Sequence, residues 1–367
     1  MPQIVYIDVS QTATETPSDL QQKGAIVSLG GTNLTTGTYQ LITSASDLTA
    51  IATSASGDLS NAVNSFYDQG TGAVYILELG EDAVIGTALS AYITANPNAF
   101  YAYLVPDTAY ADTTFQAMVK NYVALTAKTY FFLNGPQSGY SAFTGTKSVN
   151  YSIPSPAAAL AENLAAMEFY NWINATPTSA KKLAPFAFRY LYGATAWPEA
   201  GNAATFTALR AANVNIAGSG AVGGVSETLL YWGYFMDGKP MSYWYAVDYV
   251  QINLARDLSY TIITGSQPGA VNPLIYTQSG ITRLQDRATA TLSTTTAFGV
   301  IVGTSTVDAV SYATYVTENP GDYATGTYNG LSATVTPMRG FEQITFYLNV
   351  NFSGTAAITT TTSTTGS

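Results

Sequence analysis

The chain has 367 residues, of which 47% are hydrophobic and 10% are charged, and it contains no Cys and no His. These few charges cannot form the usual solvated surface over the whole molecule. The rest of the surface must therefore be uncharged but polar, or be covered by a membrane or by neighbouring copies. The net charge of −10 argues against direct contact with a nucleic acid backbone. Without His and Cys, the chain lacks the commonest general base, the commonest metal ligand and the thiolate nucleophile.

A membrane location is disfavoured by the hydropathy pattern. No stretch approaches the roughly 20 uncharged apolar residues that a spanning helix requires. The N-terminus also lacks the basic and then apolar order of a signal peptide. We therefore expect no membrane insertion, which leaves an uncharged polar surface or contact with neighbouring copies.

The first residues, QIVYIDVS, alternate apolar and polar side chains in the period of a strand with one buried face. The Thr-, Pro- and Ser-rich stretch TATETPSD follows and is typical of an extended connector. The sequence predicts an extended N-terminal arm over residues 1–20. Its candidate inter-subunit residues are Ile4, Val5, Ile7 and Val9.

Residues 21–200 are predicted to form an α/β domain. Strand-like runs such as VYILELG and KTYFFLNG alternate with helical patterns between residues 23 and 135, which indicates a sheet with some parallel pairing. Pro154 and Pro156 precede an Ala-rich run, and we predict a helix over 154–171.

Residues 201–343 are predicted to form a C-terminal α+β core domain. A short helix and a strand are expected in ATFTALRAANVNI, then two strands joined at Asp237-Gly238, then a helix starting near Asp248. A further helix covers GITRLQDRATATLSTTTAFG, while residues 302–340 have little periodicity. The predicted fold class is therefore α/β and α+β, in several sandwich-like domains with a mixed sheet.

The segment ITFYLNVNF, near the C-terminus, has the most regular alternation in the chain. We predict a C-terminal arm strand over residues 344–354, followed by a flexible Thr-rich tail over 355–367. The side chains on its apolar face are Ile344, Phe346, Leu348, Val350 and Phe352.

Motifs of catalysis or cofactor binding are weak. Gly218, Gly220 and Gly223 match the spacing of a dinucleotide-binding turn, but a strand pattern follows where that motif needs a helix, so a loop is favoured. No spacing of carboxylates suggests an acid–base pair. We predict no catalytic residue, no metal site and no cofactor.

Residues 209–264 carry a resemblance to the contractile tail sheath proteins of myophages. The shared order is a helix, a strand around Asn213 to Asn215, a Gly-rich loop, a hairpin with Gly233 and Asp237-Gly238, and a helix near Asp248-Tyr249-Val250. The Pro-initiated helix and the VYILELG strand also fall where sheath proteins have them. The motifs are short, but their order spans most of the chain.

The resemblance implies a structural subunit without enzymatic activity. It implies a helical homo-polymer of stacked hexameric rings around a tail tube, contacts with baseplate and terminator proteins, and a place in a virion tail assembled in the bacterial cytoplasm. It also implies that the terminal arms add strands to neighbouring subunits. A helix facing the tube is expected, and Arg283 and Arg287, one turn apart, are its candidate tube contacts.

Two other classes stay open at the level of sequence. One is a different self-assembling protein, such as a tube, capsid or surface-layer subunit. The other, less favoured, is an α/β sugar-binding or hydrolytic module, which would need a polar cleft built without His or Cys.

Overall fold

The computed structural model describes residues 20–54, 57–159, 161–220 and 227–342. Six strands form the main sheet: β1 (Gly24–Ser28), β2 (Tyr39–Ile42), β3 (Val74–Glu78), β4 (Ala102–Leu104), β5 (Tyr130–Asn134) and β6 (Val149–Ser152). Their order is β2-β3-β1-β4-β5-β6, with β2 antiparallel to β3 and the other neighbours parallel. The predicted α/β class with a mixed sheet is confirmed.

Four helices cover the two faces of this sheet: α1 (Gly57–Asp68), α2 (Ile85–Ala95), α3 (Thr113–Val119) and α4 (Leu164–Ile173). Helices α1 and α4 pack on the face that contains Tyr130 and Phe132. Helices α2 and α3 pack on the face that contains Phe131 and Leu133. Because consecutive β5 residues point to opposite covered faces, the first four residues of this strand are all apolar rather than alternating.

The rest of the chain adds two small antiparallel sheets and five helices among the described residues. Its elements are α5 (Ala203–Ala211), β7 (Ile216–Ser219), β8 (Thr228–Tyr231), α6 (Met241–Gly265), α7 (Gln278–Ala297), β9 (Ile301–Ala309), α8 (Tyr312–Glu318), α9 (Pro320–Thr325) and β10 (Leu331–Pro337). Strand β7 pairs with β8, and β9 pairs with β10. The first turns of α6 share an apolar cluster with the main sheet. The predicted domain boundary at residue 200 stays a prediction.

The helix predicted over 154–171 begins ten residues later, so its predicted start is wrong. Asn163 is the N-cap, and its side chain accepts a hydrogen bond from the backbone N–H of Ala166. Asn134 accepts from the N–H of Ala165 in the same turn. These two buried side chains satisfy the N–H groups at the start of the helix, which the two prolines do not.

The second strand predicted after Asp237-Gly238 is also wrong. The turn itself is present, with Gly238 at a φ of 80°, and the backbone N–H of Gly238 donates to Phe235. The chain then enters α6 at Met241, seven residues before the predicted start at Asp248. Aromatic residues favour strands on average, but Trp244, Tyr245 and Asp248 fall on one helical face and are buried there.

The described residues on either side of the Gly-rich stretch belong to two antiparallel strands. Gly218 lies in β7, whose antiparallel partner β8 follows residues 221–226, which lie outside the described part. A dinucleotide-binding turn needs a helix N-terminus at that place. The described flanks therefore give no support to a dinucleotide site.

Candidate assembly surface

Strands β9 and β10 form a two-stranded antiparallel ribbon. Within the described residues neither strand has a second partner strand, so neither outer edge of the ribbon is paired with a strand. The backbone N–H of Val310 donates to the carbonyl of Gly330, so these two residues form a hydrogen-bonded pair and the next pair along the ladder does not. By that alternation, the main-chain groups of Val307 and Ala309 on β9, and of Leu331 and Ala333 on β10, point outward.

One outward carbonyl already has a donor. Gln285 of α7 donates from Nε2 to the carbonyl of Val307 at 2.8 Å, which agrees with the outward direction of that group. Open edges of nine and seven residues are templates for pairing with another chain. An edge of this kind can pair with a strand of another chain.

The core beneath the ribbon is small. Only Val250, Leu292 and Ile301 are buried in the cluster that joins α6, α7 and the ribbon within the described chain. A two-stranded ribbon alone is marginally stable, and three buried side chains add little. Added strands would widen the sheet over the two helices and bury more apolar surface.

Helices α6 and α7 are antiparallel, and a buried carboxylate joins them. Asp257, on α6, is 4% exposed and accepts from the Thr291 hydroxyl of α7 at 2.6 Å. Arg256 and Arg287 approach its Oδ1 at 2.6 Å and 3.4 Å. Burial alone would raise the pKa of Asp257, but the Thr291 hydroxyl and the two arginines outweigh it and hold the pKa below its ordinary value.

The two arginines predicted to face a tube lie together on α7, and both are partly exposed. Arg287 is half of the ion pair with Asp257, so it also stabilises the helix pair. Arg283 donates to the carbonyl of Asn272, in the turn between α6 and α7, at 2.5 Å. Contact of either side chain with a tube stays a prediction.

The last turn of α6 and the segment between α6 and α7 carry exposed apolar side chains. Ile263 is 58% exposed, Ile275 is 60% exposed, and Val271 is fully exposed. Ile262, beside Ile263, is 49% exposed. Such a patch is typical of a surface covered by another protein, which agrees with the expectation from composition.

All the predicted arm residues lie outside the described part of the chain. These are Ile4, Val5, Ile7, Val9, Ile344, Phe346, Leu348, Val350 and Phe352. Strand exchange by the arms therefore stays a prediction. The structure does describe the residues from which both arms start.

The residues next to the N-terminal arm are held by side-chain hydrogen bonds. Gln21 is buried and donates to the Tyr101 hydroxyl and to the Tyr245 carbonyl, at 3.3 and 3.1 Å. Tyr101 in turn donates to Asp248 at 2.8 Å, as does Tyr130 at 2.7 Å. Burial raises the pKa of Asp248 to about 6. The arm therefore leaves from a point fixed to both the main sheet and α6.

The residues next to the C-terminal arm are fixed in a similar way. Glu342 accepts from the Tyr234 hydroxyl at 2.5 Å and pairs with Arg339 at 3.1 Å. Arg210 of α5 lies 3.5 Å from the same carboxylate. Burial alone would raise the pKa of Glu342, but the hydrogen bonds from Tyr234 and Arg339 outweigh burial and keep the pKa below its ordinary value. A pull on this arm would act on α5 and on the loop before α6.

The main sheet also has a cleft at the place where α/β enzymes bind ligands. The chain places β3 on one side of β1 and β4 on the other, so the strand order changes direction between β1 and β4. Open α/β sheets bind ligands at such a switch point. A cavity of about 160 Å³ lies there, with Asp58, Asp107 and Glu162 in its lining. Glu162 is engaged by the Thr195 hydroxyl at 2.7 Å. No group of three potential metal ligands occurs among the described residues.

No helix of the described chain is both long and apolar enough to cross a membrane. No protein-family model matches the sequence, and no curated protein matches it. Solved structures do match. A chain of the anti-feeding prophage helical sheath in its contracted state superposes with a TM-score of 0.60 at 14% identity, over 94% of this chain and 99% of that one.

The fold is that of contractile sheath proteins. A chain from the contracted baseplate of the same prophage gives a TM-score of 0.59 at 14% identity, over 96% of this chain and 99% of that chain. The sheath tail protein of Desulfitobacterium hafniense gives 0.56 at 11% identity, over 82% and 93%. The resemblance stated from the sequence is confirmed at the level of the fold.

The sheath fold includes features that the sequence did not predict. The ribbon was missed because IVGTSTVDA carries Thr, Ser and Gly at positions where a covered strand would be apolar. The only available signal was the weak alternation of Ser305, Val307 and Ala309, which are half-buried while their neighbours are exposed. The buried Asp248 and Asp257 could not be distinguished from ordinary surface acids on α6.

Proposed function

We propose that the protein is the sheath subunit of a contractile phage tail or a phage-like injection machine. It polymerises as stacked hexameric rings around a tail tube, contacts baseplate and terminator proteins, and shortens to drive the tube through a cell envelope. It has no enzymatic activity and needs no cofactor. It is assembled in the bacterial cytoplasm and works in the virion tail.

The observation that carries this proposal is the sheath fold over nearly the whole of the chain, with structures taken from assembled, contracted particles. The open ribbon supports it independently. Its edges are nine and seven residues long, and the terminal strand patterns QIVYIDVS and ITFYLNVNF have matching lengths. Pairing by main-chain hydrogen bonds attaches such strands, while alternating side chains fix their register.

The arms bind the ribbons of neighbouring subunits and keep them linked while the bodies move. Gln21 and Glu342 attach the residues next to the two arms to the body of the subunit. A neighbour that moves therefore pulls on the whole body through the arm. The exposed apolar side chains at the α6–α7 turn are covered by other subunits or by the tube. The energy of contraction comes from interfaces that form in the shorter state.

The experiment is electron microscopy of the purified full chain with paired variants of the terminal strand. Phe346→Asp with Leu348→Asp places two charges on the apolar face, which costs roughly several kcal/mol for each interface. Hollow cylinders are expected from the unmodified chain and none from this variant. Thr345→Asp with Asn349→Asp, on the opposite face, is the matched control and should still form cylinders.

Circular dichroism separates loss of assembly from loss of folding. A native spectrum and melting transition in the Phe346→Asp, Leu348→Asp variant would support exchange between subunits. A lost melting transition would mean that the strand completes the protein's own sheet, and would overturn the arm model. Absence of cylinders or sheets from the unmodified chain with and without tube protein would overturn the sheath assignment.

A further inference from the structure

A second concave site lies apart from the assembly surface, between α5 and the β7–β8 hairpin. It has a volume of about 260 Å³ and is lined by the rings of Trp197, Phe206, Tyr231 and Trp232. We call it the aromatic pocket. None of its lining residues belongs to the ribbon, to α6 or α7, or to the residues next to the arms, Gln21 and Glu342. The proposed function therefore leaves this site unused.

The four rings form two pairs. Trp197 and Phe206 meet edge to face, with centroids 6.1 Å apart. Tyr231 and Trp232 also meet edge to face, at 5.7 Å. In an edge-to-face pair at least one ring face stays uncovered by the partner ring, so this lining offers π surfaces to a group in the pocket.

A glycine makes room for this arrangement. A Cβ placed on Gly218 would lie 2.2 Å from the ring of Tyr231, so only glycine allows the ring to lie against β7. The Tyr231 hydroxyl donates to the Ser219 carbonyl at 2.9 Å, which holds the ring in place. Trp197 is held by a bond of 3.1 Å from its Nε1 to the Ile153 carbonyl. The pocket is therefore preformed.

The lining itself carries one negative charge, while the Arg210 guanidinium, outside the lining, lies over the Trp232 ring at 5.8 Å from its centroid. Glu199 is the one ionisable acid or base among the lining residues apart from Tyr231, and it accepts from the Ser219 hydroxyl at 2.6 Å. Burial, and then the Glu199 charge, raise the pKa of Tyr231. The donors of Trp197, Tyr231 and Ser219 are already engaged with protein acceptors, which leaves few of them for the hydroxyl groups of a sugar.

We infer that the aromatic pocket binds an organic cation, an alkylammonium or guanidinium group held by ring faces and by Glu199. Ring faces attract cations through their quadrupole, and aromatic cages are a known solution for quaternary ammonium groups. The volume lies just under the roughly 300 Å³ at which small-molecule pockets begin, so it suits one small amine or one side chain. The cation is either a free amine or a Lys or Arg side chain of a second copy.

The first test compares two probes of equal shape. The full chain is titrated with choline and with 3,3-dimethylbutan-1-ol, in which carbon replaces the charged nitrogen, and binding is followed by calorimetry. We expect choline to bind roughly two- to thirty-fold more tightly than the neutral probe. Equal binding of both probes, or binding of neither, would overturn the inference.

Two variants locate the binding. Glu199→Gln keeps the size of the side chain and removes its charge, and it should weaken choline binding by roughly two- to five-fold at low salt. Phe206→Leu keeps the pocket apolar and removes a ring face, so it should weaken choline binding but not that of the neutral probe. Glu318→Gln, an exposed carboxylate on α8, is the matched control. If Glu199→Gln and Phe206→Leu both bind choline as the unmodified chain and the control do, the site is elsewhere and the inference fails.

The assembled protein identifies the source of the cation. If a second copy supplies it, polymers will bind no choline, and choline will inhibit polymerisation of the unmodified chain. If the cation is a free amine, polymers and monomers will bind choline alike. Because the titrations are made on unassembled protein, their failure is distinct from failure of the sheath assignment.

Discussion

Glu168 is a carboxylic acid buried completely between α4 and β6. The Ser152 hydroxyl lies 2.6 Å from its Oε1 and 3.1 Å from Oδ1 of Asn150, and it has one hydrogen for these two oxygens. Burial raises the pKa of Glu168 to about 8. A protonated Glu168 can donate to Ser152, which leaves the serine hydrogen for Asn150 and satisfies all three groups.

This acid should make stability depend on pH. The folded state keeps a proton that the unfolded chain releases above its ordinary pKa of 4.5, so the free energy of unfolding falls as pH rises from about 4.5 to 8. The slope from one proton is at most about 1.4 kcal/mol per pH unit. Denaturant unfolding at pH 5.5 and 8 measures the difference.

The variant Glu168→Gln removes this titration and keeps the shape. We expect it to lose most of the decrease in stability between these two pH values. Residual dependence from Asp248 and Asp107, whose pKa values are each raised to about 6, should be confined to the lower part of the range. An equal decrease in both proteins would show that Glu168 is not protonated in the fold.

At the scale of the element, the ribbon can be tested on its edge without disturbing its inside. The N–H of Ala333 points away from β9, so Ala333→Pro removes no bond within the ribbon but blocks a strand from pairing along β10. We expect a folded monomer with little change in melting temperature and loss of long polymers in electron micrographs. Ala333→Val keeps the N–H and is the control, which should polymerise. Normal cylinders from Ala333→Pro would exclude this edge as an arm acceptor.

Helix α7 carries one arginine that stabilises the fold, Arg287, and one that is a candidate tube contact, Arg283. Reversing the charge of Arg287 would place a second carboxylate beside Asp257, so such a variant would confuse folding with tube binding. Arg283→Glu avoids this because Arg283 bonds only to the Asn272 carbonyl among its described polar contacts. If α7 faces an acidic tube, this variant should co-sediment poorly with tube at low salt while Arg283→Lys co-sediments normally. Equal co-sedimentation would remove Arg283 from the tube interface.

At the scale of the whole molecule, α6 joins the two parts. Its 25 residues extend over about 37 Å. In its first turns, Trp244 and Tyr245 pack in the apolar cluster shared with the main sheet. Its later turns contain Asp257 and pack against α7 under the ribbon. A helix shared by both parts should make them unfold together.

A fragment of residues 20–342, without the arms, tests this. We expect it to be soluble, monomeric in sedimentation and cooperative in thermal melting, because the described core contains the sheet, its helices and the ribbon. It should form no cylinders. Two separate melting transitions would contradict the coupling through α6, and an insoluble fragment would show that the arms complete the fold of their own subunit.

The sequence determined those elements whose burial is almost independent of the rest of the fold. Strands β3 and β5 are covered on both faces, so VYIL and YFFL are apolar runs that could be recognised, as could the long helix α7. Composition also indicated a surface with few charges, and the order of short motifs indicated the sheath fold. The arm strands remain predictions from sequence alone.

Tertiary structure decided what local preference left ambiguous. Helix α4 begins where Asn163 and Asn134 meet its first N–H groups, and residues from two distant segments make that contact. Aromatic residues of α6 favour a strand by themselves and become helical because one of their faces fits the core. The ribbon, the Asp257 cluster and the aromatic pocket depend on side chains far apart in the chain, and no local pattern records which of them meet.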